Sequence, residues 1–217
     1  MVQRAVKVVV ALALLMAVVV GPAGASLLKI GTADIAGVGT GYGLIYDSGT
    51  SLFWLDYTHG GANWANQVSW ASNLLLTNVV TPGYTVTWSD LTWRLPTTNP
   101  AVAGYNQTGS EMGRLYYTEL GIEAYVAVNA ANQLPFKNIL PEWYRSGTPD
   151  ALYSGYAWYF NFNDGYQDAA RKSNYYSAMA VRPGLLETSA VPEPSTYLLL
   201  GIALGVVGYA RRRMSAR

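Results

Sequence analysis

The end of this chain constrains it more than any other stretch. Pro192-Glu193-Pro194 leads into Tyr197–Ala210, 14 residues without a charge, and then come Arg211, Arg212 and Arg213. A helix rises about 1.5 Å per residue, so a segment of this length reaches about 21 to 24 Å, short of the roughly 30 Å of bilayer hydrocarbon. The spacing therefore predicts a short C-terminal membrane helix whose arginines stop it on the cytoplasmic side. Everything before Val191 is then expected on the far side. Pro192 and Pro194 fix φ and turn the residues before them away from helix, so Val191–Pro194 is expected as an extended strip that a processing enzyme can grip.

The other end agrees. Arg4 and Lys7 precede Val8–Val20, an unbroken apolar run, and Ala23-Gly24-Ala25 has the small-x-small form of a signal cleavage site. Residues 1–25 are expected as a secretory signal peptide, and residues 26–190 as what must fold outside the cytosol.

That part has to hold itself together by packing, because the chain has no cysteine. No disulfide is possible, and thiol catalysis and thiolate metal sites are excluded. All seven tryptophans fall in it, which supplies bulk for a core. The whole chain has a formal charge of +1, but residues 26–190 carry eight basic and 12 acidic residues, a charge of −4. An acidic domain lacks the footprint for nucleic acid, whose binding rests on phosphate neutralisation.

Within this part the pattern gives mixed helix and strand. Leu44–Tyr46 and Leu52–Leu55 flank the turn residues Asp47-Ser48-Gly49-Thr50. Trp64, Val68, Ala71 and Leu75 recur at helical spacing behind the cap residue Asn63, predicting a helix over 64–76. Tyr84, Val86 and Trp88 alternate as a strand, residues 97–110 are loop-like, and a second helix is expected over 110–120 with Gly121 as its stop. Tyr156–Phe162, Asn163-Asp164-Gly165 and a return strand predict a hairpin. A further strand is expected over Tyr175–Arg182, ending at Pro183-Gly184, with 185–190 as a linker.

Two family resemblances attach to these residues. Pro192-Glu193-Pro194, the apolar run and the basic end are similar to the PEP-CTERM sorting signal, which implies a membrane protease-transpeptidase, exosortase, as partner. It also implies removal of the tail and delivery to the surface or exopolysaccharide matrix of a Gram-negative-type bacterium. Residues 45 to 184 resemble extracytoplasmic domains typified by the C-terminal domain of the collagen-like adhesin Lcl. The likeness is carried by Leu52-Phe53-Trp54-Leu55, the 64–76 segment, Trp93-Arg94-Leu95-Pro96, Gly109–Gly121, Ala157–Gly165 and Ala180–Gly184. Where that family has Trp-Ser-Ser or Trp-Ser-Gly, this chain has Arg145-Ser146-Gly147. The resemblance implies an α+β, compact C-type-lectin-like domain over 26–184, with two helices and short antiparallel strands, similar also to formylglycine-generating-enzyme domains. It implies adhesion or polysaccharide binding and carries over no ligand residues.

The candidate chemistry is sparse. His59, the one histidine, lies in Thr58-His59-Gly60-Gly61, and no Gly-x-Ser-x-Gly accompanies it. Asn161, Asn163, Asp164 and Asp168 offer hard oxygen ligands for calcium, but Asn-Asp-Gly between apolar runs is also an ordinary hairpin turn. Asp56, Glu111, Glu119, Glu123 and Glu142 are the acids from which a glycosidase pair would be drawn. An exposed aromatic platform is expected to include Trp143, Tyr144 or Tyr153. The expectation is an exported surface or matrix protein that binds, with no cofactor or metal; a secreted glycan-active hydrolase is the alternative.

Overall fold

The computed structural model describes residues 26–99 and 101–189 together with the isolated helical positions Ile202, Leu204 and Arg212. The expected signal peptide with Ala23 and Ala25, the sorting motif Val191–Pro194, and Arg211 and Arg213 lie outside the described residues.

Eleven strands form two sheets among the described residues. In chain order they are β1 (Leu27–Ile35), β2 (Gly39–Asp47), β3 (Leu52–Asp56), β4 (His59–Ala62), β5 (Leu76–Val80), β6 (Tyr84–Trp88), β7 (Trp143–Pro149), β8 (Tyr156–Asn161), β9 (Gln167–Arg171), β10 (Tyr176–Ala178) and β11 (Val181–Thr188). One sheet runs β5-β1-β2-β3-β11-β6 and the other β4-β10-β7-β8-β9. The chain steps between the sheets four times, and two of those steps are two-residue links, at Tyr57-Thr58 and at Met179-Ala180. The two steps lie side by side, since the Leu55 amide donates to the Ala180 carbonyl at 3.1 Å.

β3 shows why this pairing is stable. All five of its residues are buried, and side chains alternate across a strand. Leu52 and Trp54 enter a core with Met112, Tyr116, Phe136, Tyr144, Phe160 and Val181. Phe53 and Leu55 enter a second core on the opposite face with Ile30, Leu44 and Trp93. The 47–50 turn forms as the sequence predicts, with the Asp47 carboxylate accepting from the Gly49 amide and the Thr50 hydroxyl.

The helices are shorter than expected. α1 (Trp64–Ser72) is capped by Asn63, whose side chain accepts from the Asn66 amide. It ends before 76 because Leu76 is drawn into β5, where it pairs with Ile35 at the sheet edge. α2 (Glu111–Arg114) starts on the cap Ser110 and runs into a π turn over Leu115–Glu119. Gly121, with φ of 63°, then ends the segment as the sequence predicts.

These observations correct the α+β, C-type-lectin-like expectation. Strand and bridge residues are 41% of the described chain against 13% helix, so the molecule is β-rich and sheets, not helices, set its frame. Two segments illustrate the difference. Residues 27–35 look weak in the sequence because Gly31, Thr32 and Ala33 blunt the alternation, yet they form a nine-residue strand. Leu185–Thr188, expected as linker, continues β11 past Pro183-Gly184 and pairs with β6. Gly184 is there because of a close approach, not as a stop: a Cβ would meet the Thr87 carbonyl at 2.7 Å and the Phe53 ring at 2.9 Å. The expected C-terminal membrane helix falls almost wholly outside the described residues, and among those described no helix is long and apolar enough to cross a membrane.

Candidate functional site

The site is built on the outer face of the five-stranded sheet. Across β7 and β8, Tyr144 pairs with Phe160 and Arg145 with Tyr159; across β8 and β9, Tyr159 pairs with Asp168. Tyr144 and Phe160 point into the core, so the two-residue period turns Trp143, Arg145 and Tyr159 outward. Trp143 stacks on Tyr159 with centroids 5.3 Å apart and planes 18° apart. Tyr176 of β10 meets Trp143 edge-on at 5.0 Å and Tyr159 at 5.3 Å.

An open groove of about 520 Å³ lies beside this cluster, walled by Trp143, Tyr175, Tyr176, Gly61, Pro141, Glu142 and Ser177. Trp143 is 45% exposed and Tyr175 71%, so their ring faces are available. A second groove of about 530 Å³ adjoins it, sharing Tyr175 and lined also by Asn63, Trp64, Ala65, Lys172 and Ser173. Trp64 is fixed there by its indole N–H, which donates to the Ser146 carbonyl at 2.9 Å, and the Lys172 ammonium sits 4.5 Å from its ring centroid. The Glu142 carboxylate accepts from the Ser177 hydroxyl at the groove wall.

Of the aromatics expected at the surface, only Trp143 faces the groove. Tyr144 is wholly buried, which corrects its place among them. The Thr58 hydroxyl gives its proton to the Asn138 carbonyl, so the Tyr144 phenol donates to Thr58 and accepts from the Leu140 amide. Burial pushes this phenol up to about 12. Tyr153 is 63% exposed on the loop between β7 and β8, against Tyr156, and does not line either groove. Burial, with Asp168 nearby, likewise holds the Tyr159 phenol well above its ordinary value.

Glu123 is exposed, and the remaining candidates have structural partners. His59 stacks on Trp70 at 4.4 Å, and its Nδ1 meets the Gln67 carbonyl oxygen at 2.7 Å. Because the Gln67 amide nitrogen donates to the Gly60 and Tyr176 carbonyls, that oxygen accepts and Nδ1 carries the proton. Asp56 is buried, accepting from the Lys137 and Asn138 amides. Glu111 takes both Arg94 guanidinium nitrogens at 2.8 Å and the Thr97 amide. Glu119 meets Arg114 at 2.7 Å, out of line for a good hydrogen bond. Glu142 is thus the single acid among the residues lining the two grooves. In the 161–168 turn, Asn161, Asp164 and Asp168 accept from the amides of Asn163, Tyr166 and Ala169. Among the described residues no group of three or more metal-ligating His or acidic side chains comes together.

Sequence reasoning missed Trp64, Tyr175 and Tyr176 as surface groups. Trp143-Tyr144 are adjacent in a strand, so one must face out, but only the register with β8 tells which. The pair Tyr175-Tyr176 behind the turn residues Ser173-Asn174 was the one available signal.

The comparisons bear on the tail. Residues 190–213 match the PEP-CTERM protein-sorting motif. This motif implies an exported protein, processed by exosortase and placed at the cell surface or outside the cell. No curated protein and no solved structure matches the chain, so the resemblance to Lcl-type domains gains no support from them.

Proposed function

We propose that the exported part of this chain binds polysaccharide of the surface or extracellular matrix along the two grooves that meet at Tyr175. The observation that carries the reading is a wall of aromatic rings, exposed at Trp143 and Tyr175 and half-buried at Trp64, with the polar side chains of Glu142 and Asn63 between them. A sugar ring has flat C–H faces and a hydroxyl rim, and such a surface answers both. A protein partner fits less well, because no Leu, Ile, Val or Met lines either groove to make an apolar socket. The adjoining grooves favour a chain of several sugars over a single one. The sorting motif supports the same reading, since it delivers the protein to where such polymers lie.

In this reading residues 1–25 are removed on export, residues 26–189 do the binding, and the 191–217 tail is a temporary hold on the membrane. The hydrolase alternative loses ground because a glycosidase pair needs two carboxylates about 5 to 10 Å apart across the sugar, and the grooves present Glu142 alone.

Native electrophoresis of the purified protein through gels cast with a panel of neutral and acidic polysaccharides tests this. Retardation by at least one polymer, lost on Trp143→Ala, is expected. Unchanged mobility in every gel would overturn the reading.

A further inference from the structure

Arg145 is wholly buried, and among the described residues no carboxylate pairs with it. Removing a guanidinium from water without a counter-ion is costly, and its Nε has no partner at all. A position that keeps such a group uses something a neutral side chain lacks. Here that is a planar fork of donors. Nη1 donates to the Ala157 carbonyl at 3.3 Å, and Nη2 donates to the carbonyls of Arg171 at 2.6 Å and Asn174 at 3.0 Å. Those last two residues open and close one turn, since the Asn174 amide also donates to Arg171. The next two residues are Tyr175 and Tyr176, and the Tyr176 ring centroid lies 4.2 Å from the guanidinium carbon.

We infer that Arg145 is a positioning residue: on the outer face of the sheet, covered by Tyr176, it clamps the 171–174 turn and seats Tyr176, and so fixes the tyrosine wall of the groove without touching the ligand. Its functional half rests on the polysaccharide-binding reading above. Lysine can offer charge but not the fork, and methionine can fill the volume but offers neither.

Full-length protein in mild detergent, as wild type, Arg145→Met, Arg145→Lys and Trp143→Ala, is compared by amide hydrogen exchange and by polysaccharide gel retardation. In Arg145→Met, exchange at Ser173–Tyr176 is expected to rise about tenfold, the size of one lost net hydrogen bond, while Tyr156–Asn161 stays protected. Binding should weaken by a similar factor, and Arg145→Lys should recover only part of both. The Lys variant decides the matter where the Met variant does not fold. Exchange that is unchanged, or raised uniformly along the chain, would overturn the clamp. Intact exchange with weakened binding would overturn it too. If no polysaccharide retards the wild type, the binding reading fails, and the exchange experiment still decides whether Arg145 holds the turn.

Discussion

Trp143 and Tyr159 lie face to face, 5.3 Å apart and 18° from parallel, so the exposed ring rests on one that is 8% exposed and anchored in the sheet. Trp143 and its neighbour Tyr144 therefore have separable roles. Trp143→Ala gives up two aromatic pairs, with Tyr159 and Tyr176, each about 0.5 to 1.5 kcal/mol, and should abolish polysaccharide retardation. Tyr144→Phe leaves the Leu140 amide and Thr58 short of a partner, costing about 1 to 3 kcal/mol, and should leave retardation unchanged. Urea midpoints alongside retardation check both halves.

Glu111 ties the loop before α2 to its first turn. It holds Arg94 through a two-point contact and the Thr97 amide at 2.7 Å, with its side chain 18% exposed. Charge-assisted bonds of this kind exceed neutral ones, so Glu111→Ala is expected to lower stability by about 2 to 3 kcal/mol. Urea denaturation measures it; a loss under about 0.5 kcal/mol would place this pair with ordinary surface ion pairs.

Glu119 should make stability pH-dependent. Burial raises its carboxyl above the ordinary 4.5, Asp47 adds to the effect, and Arg114 opposes it. The folded state thus holds this proton more tightly than the unfolded chain. Its stabilising contribution is present below 4.5 and is lost as pH rises through the raised folded value. Glu119→Gln, which stays neutral, should gain in Tm relative to the wild type between pH 4 and pH 7. A constant Tm difference across that range would refute the burial argument.

Calcium should not matter to the 161–168 turn. Three of the oxygens a cation would need already accept backbone amides. Adding millimolar calcium or chelator should therefore leave Tm unchanged, and a clear rise with calcium would restore the turn as a cation site.

The tail gives a prediction of a different kind. If Val191–Thr196 is where processing occurs, protein from the cell surface should lack Arg211–Arg213, and Pro192→Ala with Glu193→Ala should remain membrane-bound. Mass spectrometry of surface material reads this directly; an intact C-terminus there would contradict it.

How much of this was legible depends on the range of the interaction. Local signals carried well: Asn63 as a cap, Gly121 as a stop, the 47–50 turn, and the sorting motif. The register of β7 against β8, which sends Trp143 out and Tyr144 in, is long-range and has no local signature. β1 and the end of β11 were hidden for the same reason, because Gly31 and Gly184 are chosen for close approach of another strand and imitate turn residues. Arg145 looked like a mere departure from a resembling family; only its carbonyl partners reveal what it holds.

Polysaccharide binding along these grooves requires sugar to stack on the Trp143 ring. Tryptophan emission of wild type and Trp143→Phe, titrated with oligosaccharides cut from a retarding polysaccharide, reads that stacking. A saturable change is expected in the wild type and not in the variant, although six tryptophans remain in it. An equal change in both proteins would show that the ligand binds elsewhere.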